Sequence, residues 1–110
     1  MSARTDRELL ELAAKAAQIA LWPHGDAWRD MAIGTGLLLA NGGWIWNPLL
    51  HDGDSLRLAV ARSLTLYINH DDIDVVDNET CFTETWAEHN GDKGAATRRA
   101  ITRAAAGDAP

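Results

Sequence analysis

Apolar residues recur at helical spacing near the start of the chain: Leu9, Leu12, Ala13, Ala16 and then Ile19 or Ala20 fall on one stripe. Thr5-Asp6-Arg7-Glu8 in front of them fits a capping box, with a hydroxyl at the N-cap and a carboxylate three residues on. The pattern predicts a helix from about residue 6 to about residue 20, stopped by Pro23. Residues 22–30 read as a loop, because Pro23-His24-Gly25-Asp26 is a turn composition. Met31 to Ala40 is apolar but interrupted by Gly34 and Gly36; Leu37-Leu38-Leu39 predicts a strand, Asn41-Gly42-Gly43 a hairpin turn and Trp44-Ile45-Trp46 the returning strand. Pro48 lacks a backbone donor and ends it. Asp52 or Asp54 then caps a helix over about 53–63, with Leu56, Ala59, Val60 and Leu64 as its packing positions.

Beyond residue 63 the period changes to two. Leu64, Leu66 and Ile68 share one face, and Thr65, Tyr67 and Asn69 the other. Ile73, Val75 and Val76 mark a second strand and Cys81–Trp86 a third, so a three-stranded meander is expected over about 64–87. Asp92 caps a last helix over about 93–106, with Ala96, Arg99 or Ala100, Ile101 and Ala104 near its packing face. Helices alternating with hairpin-linked strands predict a single α+β domain over residues 1–110: about five mainly antiparallel strands in one sheet, covered by three helices. The expected core contains Leu9, Leu12, Ile45, Leu56, Val60, Leu66, Ile68, Val75 and Ile101. A chain of 110 residues can bury such a core without disulfides or metals.

Three segments carry a resemblance. Trp46-Asn47-Pro48-Leu49, followed by the acidic turn Asp52-Gly53-Asp54 and Leu56-Arg57-Leu58-Ala59-Val60, resembles the phage ABA-sandwich family of small tailed-phage and prophage accessory proteins. The stretches 7–17 and 95–106 resemble the two ends of those proteins. The resemblance implies an α-β-α sandwich and a phage setting in a bacterial cytoplasm. The family has no established activity, so it supplies no site residues.

Charge adds a second theme. The net charge is −6, and residues 71–92 hold Asp71, Asp72, Asp74, Asp77, Glu79, Glu84, Glu88 and Asp92 with no lysine or arginine among them. Such a segment repels phosphate backbones, which disfavours direct nucleic-acid binding, and attracts a partner with a basic groove. Acids on solvent-facing strand positions also keep a small sheet soluble, with no partner involved. No run of eighteen apolar residues is present, so no membrane span is expected. The charged opening residues predict no export signal, and the single Cys81 fits a reducing compartment.

Candidate chemistry is sparse. His24, His51, His70 and His89 each lie near carboxylates, a donor set that suits divalent metals, but none has the helical i, i+4 pairing of a zinc site. All four fall in expected turns. Asp52-Gly53-Asp54 has part of a calcium-loop spacing and lacks the bidentate glutamate; capping explains both acids more simply. Cys81 has no basic neighbour to activate it, no serine sits in a nucleophile elbow, and no glycine pair opens a phosphate loop. No enzyme, metal or cofactor is therefore expected. There are five Trp beside one Tyr and one Phe, and Trp22 or Trp28 is the candidate for an exposed interface anchor.

The resulting expectation is a phage-encoded accessory protein that inhibits a bacterial antiviral defence system, of the anti-CRISPR kind, by binding and occluding a host protein. Its partner-binding residues are Asp71, Asp72, Asp74, Asp77, Glu79, Glu84 and Trp28, mimicking phosphate toward a basic surface. The alternative is a self-associating structural or regulatory phage protein, a homodimer held by exposed Trp and apolar edge strands.

Overall fold

The computed structural model describes residues 4–31 and 34–107. Helix α1 spans Asp6–Ala16 and opens on the expected capping box: Thr5 Oγ1 accepts from the Glu8 N–H, and the Glu8 carboxylate accepts from the Thr5 N–H. It ends well before Pro23. Gln18 adopts a left-handed φ of +57°, and the Ile19 N–H folds back onto the Ala14 carbonyl at 2.9 Å. That is a Schellman-type stop built without glycine. The buried stripe is Leu9, Leu10, Ala13 and Ala14, so Leu12 lies beside it, half-buried, instead of at its centre.

The first sheet contains a strand where a loop was expected. β1, Trp28–Met31, pairs antiparallel with β2, Gly34–Leu38, placing Trp28 opposite Leu37. The expected hairpin follows, with β3, Ile45–Trp46, returning along β2. Gly36 is the residue that lets these strands approach. Its φ is +147°, and a Cβ there would collide with the Trp46 carbonyl oxygen.

Helix α2, Asp52–Ala61, corrects the expected packing face. Asp54, Ser55, Leu58 and Ala59 are buried, while Leu56 and Val60 are 64% and 72% exposed. Its N-cap is His51, which makes no side-chain cap bond, so neither Asp52 nor Asp54 caps it. Like α1, it closes on a left-handed non-glycine residue: Ser63 has φ +54°, and the Leu64 N–H reaches the Ala59 carbonyl at 3.0 Å.

The meander forms as expected. β4, Thr65–Ile68, β5, Asp72–Asp77, and β6, Thr80–Thr85, pair antiparallel in the order β4-β5-β6. A short 3-10 turn over Ala87–His89 leads into α3, Lys93–Ala106, whose N-cap Asp92 accepts from the Ala95 N–H at 2.9 Å. The six strands among the described residues thus form two separate three-stranded sheets, not one sheet of five. β3 holds only two residues before Pro48 removes a donor, too short to carry pairing into a further strand.

α3 is the centre of the molecule. It packs on α1, α2, β5 and β6, through a face of Ala96, Ala100, Ile101, Thr102, Ala104 and Ala105. Those small side chains let helix and sheet backbones come close. Of the expected core, Leu9, Val75 and Ile101 are buried; Leu12, Ile45 and Leu66 are half-buried; Leu56, Val60 and Ile68 are exposed. Among the described residues, no helix is long and apolar enough to cross a membrane.

The segment joining the sheets is held by a polar hub. Asn47 is buried; its Nδ2 donates to the Thr35 carbonyl at 2.8 Å and its Oδ1 accepts from the Leu49 N–H at 2.9 Å. The Asn47 N–H donates to Asp54 Oδ2 at 3.0 Å, and Arg57 reaches Asp54 Oδ1 at 2.7 Å. Arg98 of α3 clamps the same turn through the Leu49 carbonyl and Asp52. The acids of this turn are consumed by structure.

Candidate protein-binding face

The alternation of the meander decides which acids are available. Partners across an antiparallel pair lie on the same side of the sheet. Ile73, Val75 and Phe82 point inward to α3, and Asp72, Asp74 and Val76 therefore point outward with Thr65, Tyr67, Cys81, Thr83 and Thr85. This outer face is open: Tyr67 is 54% exposed, and Cys81 and Thr83 are exposed as well.

Asp74 lies at the middle of the face. Thr83 Oγ1 donates to its Oδ1 at 2.5 Å, and Asn69 Nδ2 donates to its Oδ2 at 2.9 Å. The same amide donates to Asp72 Oδ1 at 2.8 Å. Neutral donors orient these two carboxylates without neutralising them. Strands β4–β6 themselves supply no lysine or arginine, since none lies between residues 63 and 92, and Arg103 of α3 donates to the Thr83 carbonyl at 3.3 Å.

Glu88 extends the patch. Thr85 projects on the same side as Asp72, and Glu88 Oε1 accepts from its hydroxyl at 2.7 Å and from its N–H at 3.1 Å. Those bonds, the hydroxyl's first, hold the Glu88 carboxyl below its ordinary range, so it stays charged to lower pH. The spacing Thr85-Trp86-Ala87-Glu88 is that of a capping box, a signal present in the sequence. Asp71 is exposed beside His70, whose Nδ1 lies 3.0 Å from it. Glu79 is exposed on the turn between β5 and β6.

Three expected site residues lie elsewhere. Glu84 sits opposite Ile73 on the inner face and is only 6% exposed. Its Oε1 meets His89 Nε2 at 2.7 Å and its Oε2 is paired with the Arg103 guanidinium of α3. The strand period turns it inward, and burial then requires both partners. Asp77 likewise faces inward, near Arg62 at 3.6 Å. Trp28 belongs to the first sheet, where it is half-buried against the core with the Arg7 guanidinium 5.8 Å from its ring centre. Trp22 is half-buried too. The exposed indole is Trp44, at 54%, while Trp46, two residues on, is buried.

Cys81 is exposed, and its Sγ lies 3.8 Å from Thr83 Oγ1. Among the described residues, no three His, Cys, Asp or Glu side chains cluster as a metal would need. The arrangement offers fixed negative charge and hydroxyls around one aromatic ring. No protein-family model, curated protein or solved structure matches this chain.

Proposed function

We propose that this protein is a non-enzymatic binding protein that occludes a basic surface of a partner through the outer face of β4–β6. The observation carrying this reading is the outward placement of Asp72, Asp74 and Glu88 on a sheet face whose own strands carry no lysine or arginine. Fixed carboxylates beside threonine hydroxyls present acceptors much as a phosphate backbone does. A groove built for nucleic acid would meet them with lysine and arginine, and long-range attraction would speed the encounter. The phage resemblance supplies the setting: the partner is a host defence protein that handles nucleic acid, and the outcome is its inhibition, as with an anti-CRISPR protein.

The test is phage plating on a bacterial strain with an active CRISPR defence, with and without expression of the protein. Expression is expected to restore plaques. The triple variant Asp72→Lys, Asp74→Lys, Glu88→Lys is expected to lose that protection while retaining the parent's circular dichroism. Glu84 must be left intact, since it is a buried partner of Arg103. Protection that survives the triple variant would refute the acidic-face mechanism; failure to protect against a panel of defence systems would remove the inhibitor reading.

A further inference from the structure

A second surface stands apart from the acidic face. Both β4 and α2 flank α3, and between them runs a groove of about 340 Å³. Its walls are Leu66 and Ile68 of β4 on one side and Leu56 of α2 on the other, with Ile101 of α3 beneath. Ile68 is 73% exposed and Leu56 64%, large apolar side chains whose exposure the fold itself does not require.

The β4 wall is also a free sheet edge. The order β4-β5-β6 leaves one side of β4 unpaired. Residues 63–70 contain no proline and no Lys, Arg, Asp or Glu, so neither a charge nor a proline guards this edge. An extended chain in the groove would therefore find backbone partners on β4 and apolar surface on both sides.

Charge narrows the occupant. Asp52 at the groove is taken by Arg98, 2.8 Å away. Lys93 remains: its ammonium lies 5.6 Å from the Trp86 ring centre and makes no ion pair among the described residues. It marks the end where β4 runs into the His70 turn, because Trp86 Nε1 donates to the His70 carbonyl at 2.9 Å. Ser55, which also lines the groove, is 2% exposed, and its Oγ has no hydrogen-bond partner.

We propose that this groove binds an extended peptide segment of a partner protein, added as a fourth strand on β4, with alternate apolar side chains lodged between Leu56 and Ile68 and an acidic residue at Lys93. This is strand addition, in which main-chain bonds give affinity and side-chain pockets give selectivity. A second copy of β4 has the alternation but no carboxylate over residues 63–70, and would leave Lys93 unmatched.

The probes are fluorescein-labelled hexapeptides alternating valine and threonine, with one terminal glutamate or, in the mate, one terminal lysine. Anisotropy titration is expected to show saturable binding of the glutamate peptide, about fivefold tighter than of its mate. Lys93→Glu is expected to reverse that preference. Ile68→Lys, at an exposed position, is expected to abolish binding, as is N-methylation of alternate peptide nitrogens. Absence of binding overturns the proposal, and so does binding indifferent to charge or to N-methylation. Sedimentation of the protein alone is expected to show a monomer; a dimer dissociated by Ile68→Lys would assign the edge to a second copy instead.

Discussion

At the scale of single residues, the fate of each carboxylate depends on its neighbours more than on the local charge density. Glu84 and Glu88 are four positions apart, yet one is buried against Arg103 and His89 and the other projects beside Thr85. Glu88 yields a pH prediction. Its folded-state carboxyl titrates below its ordinary value, so the stability it contributes is present above that ordinary value and is lost as pH falls through the depressed one. Thr85→Val removes the hydroxyl and is expected to move the Glu88 titration upward, toward the ordinary range. Carboxyl carbon shifts followed by NMR through the acid range would measure this, and an unmoved midpoint would contradict the assignment.

At the scale of elements, local signals with a fixed chemistry were readable and packing faces were not. The Thr5–Glu8 box, the Asn41-Gly42-Gly43 turn and the Asp92 cap could all be seen, because each depends on side chains meeting backbone within a few residues. The ends of α1 and α2 could not, because Gln18 and Ser63 adopt a conformation that L-residues seldom take. The second helix shows the same limit for burial. Its apolar residues Leu56, Leu58, Ala59 and Val60 allow more than one stripe, and Asp54 decides between them by bonding to the Asn47 N–H. Leu58→Ala is accordingly expected to cost about 2–5 kcal/mol. Leu56→Ala and Val60→Ala, at exposed positions, are expected to stay within about 0.5 kcal/mol of the parent. Urea denaturation of the three variants would rank them, and a large loss at Val60 would be inconsistent with this face. Of the candidate site, Asp72 and Asp74 were legible from charge and alternation, and Asp71 and Glu79 from charge alone. Glu84 and Asp77 were misplaced because their charge suggested solvent, although Asp77 shares the parity of Ile73 and Val75 and Glu84 that of Phe82.

At the scale of the whole molecule, the second sheet and the other two helices meet on α3, while the first sheet joins through α1. The sheet β4–β6 reaches the rest of the core through α3, and α1 and α2 lie against the same helix. Amide hydrogen exchange is expected to be slowest at Ala100, Ile101 and Ala104 of α3 and at Ile73 and Val75 of β5, all buried. Faster exchange there than in β1 would show that the first sheet holds the fold together. The position of α3 in chain order has a further consequence. It follows every described strand and both other helices, so Ile73, Val75 and Phe82 are covered only when this last helix docks. Until then the meander exposes its inner face as well as its β4 edge, the state most open to wrong pairing with other chains. Refolding is therefore vulnerable to aggregation before α3 docks. Variants that weaken α3, such as Ala100→Gly, are expected to lower the yield of refolded protein as its concentration rises, more than Val60→Gly does.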